Sequence, residues 1–135
     1  MSERPPAAVV WDLLRGGLSA RAVALVVELG VPDALGDGPR PVGELATETG
    51  ADGETLYRLL RALASDGVFA EVEPGVFRHT EASEALREGD GWSDFARLFG
   101  GVWHRTAGEL QADGHPTFDR IHGTDFWSWL AAHPR

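Results

Sequence analysis

The sequence contains no cysteine, no lysine and no asparagine, and only one methionine and one tyrosine. Without cysteine there is no disulfide framework and no thiolate metal site, and nothing in the composition points to export. Long hydrophobic runs are missing too: no stretch nears the roughly 20 apolar residues that a membrane span needs. The opening MSERPPAAVVWDLLRGG has no basic region followed by a sustained apolar run, so the cytoplasm is the expected location. Positive charge is scarce. The 12 basic residues, all arginine, stand against 21 acidic ones, for a formal net charge of −9. That balance repels phosphate backbones and anionic lipid surfaces, so neither nucleic acid nor membrane is an expected partner.

What is present is an ordinary globular composition, 43% hydrophobic and 24% charged over 135 residues, enough for one domain with a modest core. Pro5 and Pro6 open a helix through Ala8, Val10, Trp11 and Leu14, which the spacing ends at Gly16-Gly17, where continuation is costly. From Leu18 onward Ala22, Leu25, Val26 and Leu29 recur at helical spacing, and Gly30 before Val31-Pro32 supplies a left-handed cap and a stop. Val23, Ala24 and Val27 occupy the other side of that second helix. It is apolar nearly all round, so both of its faces need burial.

Between Pro41 and Thr80 the pattern changes. Pro41 starts a short helix through Leu45 and Ala46, and Thr49-Gly50-Ala51 turns the chain towards Asp52, an expected N-cap. The next helix carries Leu56, Leu59, Leu60 and Leu63 on one stripe and ends at Asp66-Gly67. Residues 68–72 and 76–80 are β-prone runs flanking the turn Glu73-Pro74-Gly75. Helix, turn, helix and hairpin make a winged-helix arrangement. Further on, EASEALREGDG reads as a short helix and a glycine-rich loop, and DFARLFGGVWHRTAGELQ as a longer helix interrupted by Gly100 and Gly101. ADGHPTFDRIHG is a loop with one turn of helix. Thr124 or Asp125 caps FWSWLAA, which stops at His133-Pro134. The predicted fold class is mainly α with a small β-hairpin.

A winged helix raises the question of DNA reading, and the residues answer against it. The first turn of the presumed recognition helix is Asp52-Gly53-Glu54-Thr55, and its two carboxylates would repel phosphates. Arg58 and Arg61 are explained by a solvated helix face, and on the hairpin Glu71 and Glu73 outnumber Arg78. LGDGPRP offers Gly36 and Gly38 but follows a helical turn rather than a strand, so it does not make a dinucleotide fingerprint. Gly100-Gly101 reads as a close helix-packing point. The histidines at 79, 104, 115, 122 and 133 form no close ligand pair, and no metal is expected. His104 stands out because it adjoins Trp103 on a helix that also carries Phe95 and Phe99. There an imidazole can act as a base or a hydrogen-bond partner, although core packing is the simpler reading. Trp92, Trp103, Trp127 and Trp129 crowd the last third, and FWSWL near the end of the chain needs a cover.

The order of these pieces resembles one family, the S-adenosylmethionine-dependent small-molecule O-methyltransferases with a winged-helix N-terminal dimerisation domain. The resemblance is carried by ELGVPDAL (28–35), PVGELATETGAD (41–52), LYRLLRALASDGVF (56–69), VFRHT (76–80) and HGTDFWSWLAAHP (122–134). It implies a single domain over 1–135: N-terminal dimerisation helices over 1–38, a winged helix over 39–80, and a helical substrate-capping segment over 81–135. It also implies a homodimer and a small, aromatic, bacterial natural product of polyketide type as substrate. The chain stops at His133-Pro134-Arg135, before the family's Rossmann-like cofactor domain, so no catalytic or cofactor-binding residue carries over. S-adenosylmethionine is implied only for the full-length family.

The apolar circumference of the first helices marks Trp11, Leu14, Leu18, Ala22, Val23, Leu25 and Val26 as the expected dimer interface. The family likeness marks Phe99, Trp103, His104 and Trp127 as an expected substrate wall. Two other readings remain open at this stage: a free-standing, cofactor-less homodimer that binds or cyclises an aromatic substrate, and a winged-helix regulator. On the leading reading the chain alone methylates nothing. Calorimetric titration should find no S-adenosylmethionine binding tighter than roughly 100 μM, about −5.5 kcal/mol. Duplex DNA should show no salt-sensitive retention, and retention would reopen the regulator reading.

Overall fold

The computed structural model describes residues 3–134 except Asp90. Its longest element, α1, runs unbroken from Pro6 to Leu29 (Pro6–Leu29), through the glycine pair where the sequence predicts a break. Ending a helix there would orphan up to four carbonyls, and restarting would orphan up to four N–H groups, whereas each helical glycine costs only about 1 kcal/mol. Arg15 adds a tether just before the glycines, donating to Asp66 at 2.5 Å across 51 residues. The end of α1 is the expected left-handed cap, Gly30 at φ 82°, whose N–H returns to Val26 and Val27.

A short α2 (Val31–Leu35) leads to β1 (Arg40–Pro41), then to α3 (Val42–Thr49) and α4 (Gly53–Ser65). Asp52 caps α4 as expected, its carboxylate accepting from Thr55 N at 2.9 Å and from the Thr55 hydroxyl at 2.8 Å. The hairpin follows as β2 (Ala70–Glu73) and β3 (Val76–Arg78), both shorter than predicted. Phe69, buried at a left-handed φ of 68°, turns the chain into β2. His79 and Thr80 leave β3 to fix the next helix. Thr80 forms a capping box with Ser83 at the start of α5 (Glu81–Glu84), and the His79 ring bridges Ser83 Oγ at 2.9 Å and the Pro32 carbonyl at 2.8 Å. The sheet has a third strand that the sequence reading lacks: β1 pairs antiparallel with β3, Arg40 opposite Phe77 and Pro41 opposite Val76. Two residues, one of them proline, show no alternation, so such a strand is invisible to periodicity.

The core gathers Val26 of α1, Val31 and Leu35 of α2, Leu45 of α3, the Leu56–Leu60–Leu63 stripe of α4, and Phe69 and Phe77 beside the sheet. Leu59, predicted on the same stripe, sits half-buried at its margin. The helical remainder is α6 (Trp92–Arg97), a π-helical turn (Leu98–Val102) and α7 (Trp103–Gly108) in continuous succession, then α8 (Thr117–His122) and α9 (Phe126–Ala132). The loop predicted over 89–91 includes Asp90 and so lies partly outside the described residues.

The π turn is where the later helices lock onto α1. A Cβ on Gly100 would lie 2.3 Å from the Ala20 carbonyl oxygen and 2.5 Å from Ala24 Cβ, both on the wall of α1. Neither can yield, because one is backbone and the other a short side chain fixed to it. The paired glycines therefore mark a close helix contact, and the π turn admits the extra residue that aligns it. Gly100→Ala should cost about 1–3 kcal/mol or more in chemical denaturation, as overpacking does. Gly101→Ala, whose Cβ would meet only Glu28 Oε1 at 3.5 Å, should stay within about 1 kcal/mol of the parent.

Candidate functional site

The two halves of α1 have different surroundings. Ala24, Val26 and Val27 of the C-terminal half are buried within the chain, whereas Trp11, Leu14 and Leu18 are 63%, 71% and 75% exposed. Those three share one helical face at i, i+3 and i+7, and Val9, Val10 and Leu13 extend the apolar surface around the same half. A contiguous apolar patch of this kind marks an interaction site on a folded domain. A second exposed ridge runs along α6 into the π turn, where Trp92 is tilted against Phe95 and Phe95 stacks on Phe99, with ring centroids 5.6 and 6.0 Å apart.

Behind that ridge the C-terminal helices build an aromatic nest around Phe118, which is buried. Trp103 lies 5.2 Å from it, Phe126 5.4 Å and Trp129 6.0 Å, so α7, α8 and α9 are held by one ring. Asp125 sets the start of α9, its carboxylate accepting from Ser128 N at 3.0 Å and from the Ser128 hydroxyl at 2.7 Å. Those two bonds, the hydroxyl's foremost, stabilise the charged form and hold the Asp125 carboxyl below its ordinary value of 3.8.

Between α1, the π turn, α7 and α9 lies a cleft of about 550 Å³, bordered by Arg21, Glu28, Arg97, His104, Arg105, His122, Trp129 and His133 among others. Arg21 and Glu28 form a bidentate pair at 3.0 and 3.1 Å along one wall, and Arg21 also donates to the Gly100 carbonyl at 3.4 Å. Arg97 is held by Glu88 at 2.6 Å and Asp94 at 3.5 Å. No group of histidines and carboxylates among the described residues has the spacing to hold a metal ion. No described helix is long and apolar enough to cross a membrane.

The model of the O-methyltransferase dimerisation domain matches residues 11–89, more than half of the chain. The chain belongs to that family. Over 96% of its length the dimerisation domain is 33% identical to a phenazine O-methyltransferase of Lysobacter antibioticus, and over 93% it is 38% identical to a mitomycin biosynthesis 6-O-methyltransferase of Streptomyces lavendulae. It covers 40% and 38% of those two proteins, so it spans about two fifths of the curated relatives it matches. The solved structure of LaPhzM superimposes with a TM-score of 0.89 at 32% identity, over 97% of this chain and 41% of that one. A neocarzinostatin-biosynthesis O-methyltransferase, solved with S-adenosyl-L-homocysteine and 1,4-dihydroxy-2-naphthoic acid, matches at 0.66 and 31% identity, over 85% of this chain and 37% of that one.

The residues singled out in the sequence scatter over this domain. Trp11, Leu14 and Leu18 lie on the exposed half of α1, and Ala22, Val23 and Leu25 are half-buried. Val26 is fully buried in the domain's own core, because the inward stripe of α1 passes through it. Of the four expected substrate-wall residues only His104 borders the cleft. Trp103 turns into the nest against Phe118 and Phe126, and Phe99 and Trp127 are exposed elsewhere. Arg105, His122, Trp129 and His133 were not singled out as cleft residues, and of these only the Trp129/His133 pair carries a local signal, at i, i+4 spacing.

The Asp125 cap has a signed pH dependence. Its folded-state pKa is depressed, so its contribution is present above the unfolded value and is lost as pH falls through the folded one. Acidification below about pH 4 should therefore fray α9 and shift the emission of its tryptophans, Trp127 and Trp129. Asp125→Asn, which caps without titrating, should flatten that acid-induced change.

Proposed function

We propose that this domain pairs with a second copy of itself and caps the substrate pocket of an S-adenosylmethionine-dependent O-methyltransferase that modifies a small aromatic natural product. The observation that carries the reading is the exposed face of Trp11, Leu14 and Leu18 in a chain that belongs to a dimerisation-domain family. Apolar surface of that kind is what an obligate interface removes from water. The aromatic character of the substrate is supported by the relatives' names, which include phenazine, mitomycin and 3-amino-4-hydroxybenzoate methyltransferases, and by the naphthoic acid in the neocarzinostatin enzyme. The S-adenosyl-L-homocysteine bound in that structure, which is what S-adenosylmethionine becomes on losing its methyl group, supports S-adenosylmethionine as methyl donor.

In the capping role the exposed Trp92, Phe95 and Phe99, together with Trp127, face what covers the domain, while His104 supplies a polar group at the separate cleft. Sedimentation at micromolar concentration should give a dimer. Leu14→Asp and Leu18→Asp should weaken pairing by about 2 kcal/mol or more each, while leaving helix content intact because both side chains are exposed in the single chain. Val26→Asp should instead unfold the domain, since it buries an unpaired charge. A well-folded wild-type monomer at these concentrations would refute the pairing.

A further inference from the structure

One stripe of α1 changes its surroundings along its length. Trp11, Arg15, Leu18 and Ala22 follow one another at i, i+4, i+7 and i+11, so they lie on one side of the helix. At the inner end of the stripe a groove of about 270 Å³ opens between α1 and the end of α4, lined among others by Leu18 and Ala22 on one helix, Ala62 and Leu63 on the other, and the pair Arg15 and Asp66. At its outer end the stripe carries Trp11, 63% exposed and no part of the groove's lining.

The chemistry of the groove narrows what fits it. At about 270 Å³ it is smaller than the roughly 300–1,000 Å³ of small-molecule pockets and leaves room for one large side chain. Its two charges cancel, because Arg15 donates to Asp66 at 2.5 Å and neither is left to attract an ion. What remains is largely aliphatic. Leu18 and Ala62 are exposed there, and only an apolar occupant removes them from water without stranding a polar group. The same stripe carries such an occupant. A two-fold axis crossing α1 near Arg15 reverses the stripe, setting Trp11 of each copy against the Leu18–Ala22 end of the other. Each copy then supplies one knob and one hole, the reciprocity of a closed two-fold interface.

We propose that the groove between α1 and α4 is the socket for Trp11 of a second copy of this chain. The socket rests on the pairing reading and deepens it: pairing engages α4 as well as the outer half of α1, and each groove is completed by the other copy's indole.

The test swaps knob and hole in the full chain and reads the dimer dissociation constant by sedimentation. Trp11→Ala should weaken pairing about tenfold or more, as loss of a buried interface tryptophan does. Ala62→Phe should also weaken it about tenfold by filling the socket, as overpacking does. Both variants should keep their helix content, because both residues are exposed in the single chain. In the double variant each phenylalanine takes the space that the other copy's indole leaves, so pairing should match Trp11→Ala alone instead of falling roughly another tenfold. Ala82→Phe, which enlarges an exposed alanine of α5 outside the groove, should change nothing. Additive losses, or an Ala62→Phe dimer as tight as the parent, would overturn the socket while leaving the pairing in place. A parent chain that stays monomeric overturns the pairing and the socket together, and binding of free indole by such a monomer assigns the groove to a small molecule instead.

Discussion

The close approach of Gly100 to the Ala20–Ala24 wall of α1 is the contact on which the rest of the architecture depends. One side of the C-terminal half of α1 serves the core built with α2, α3 and α4, and the other meets the π turn. A helix that supplies two interiors must be apolar nearly all round, and it must carry small residues where the second element presses in. Ala20, Ala24 and Gly100 meet that demand from both sides. Arg21 then seals the contact, paired with Glu28 and reaching the Gly100 carbonyl. The Glu28 bonds also raise the Arg21 pKa above its ordinary value, and the guanidinium adds a polar bond beside the place where no side chain fits.

The same dependence explains why α1 is long. Packing on both sides rigidifies its C-terminal half, and propagation of a helix from an existing nucleus is cheap compared with starting another. The N-terminal half projects as an extension of a braced rod, tied once through Arg15 to Asp66. Its apolar face is presented rather than buried, which is how a small domain offers a surface for assembly without opening its core. The inward stripe and the outward face thus occur on one helix, separated along its length rather than around its circumference.

This division marks where sequence reasoning succeeds and where it stops. Helical spacing shows that Leu18, Ala22, Leu25 and Val26 can share a side, but not which side meets the chain's own core, so Val26 and Leu18 look alike in the sequence and end up opposite in burial. Local chemistry was legible: the Asp52 and Asp125 caps, the Gly30 stop and the hairpin turn are set by residues within a few positions of one another. Gly100 was legible as a packing point because a glycine inside a helical pattern is costly unless something needs the space. Helix continuity through Gly16-Gly17 is not, since the glycine cost shows in the sequence while the backbone groups that a break would orphan do not. The cleft is least legible of all, because Arg21, Arg105 and His122 come from elements joined only by the fold.

The exposed apolar face and the cleft wall converge on α1. Arg21 and Glu28 form one wall of the cleft, and a Cβ at Gly17 would come within 3.9 Å of the His104 ring, so the helix that carries the exposed apolar face also backs the cleft's polar residues. The wall cannot shift by itself: with Gly100 at contact distance from Ala20, any displacement of α1 must carry the π turn with it or break the packing. The C-terminal half of α1, packed on both sides, therefore holds Arg21 and Glu28 in place along the cleft. Packed cores pass small shifts between discrete arrangements rather than absorb them. The exposed outer half of α1 is thus mechanically continuous with the wall of the cleft, and the position of that wall is set by whatever holds α1 in place.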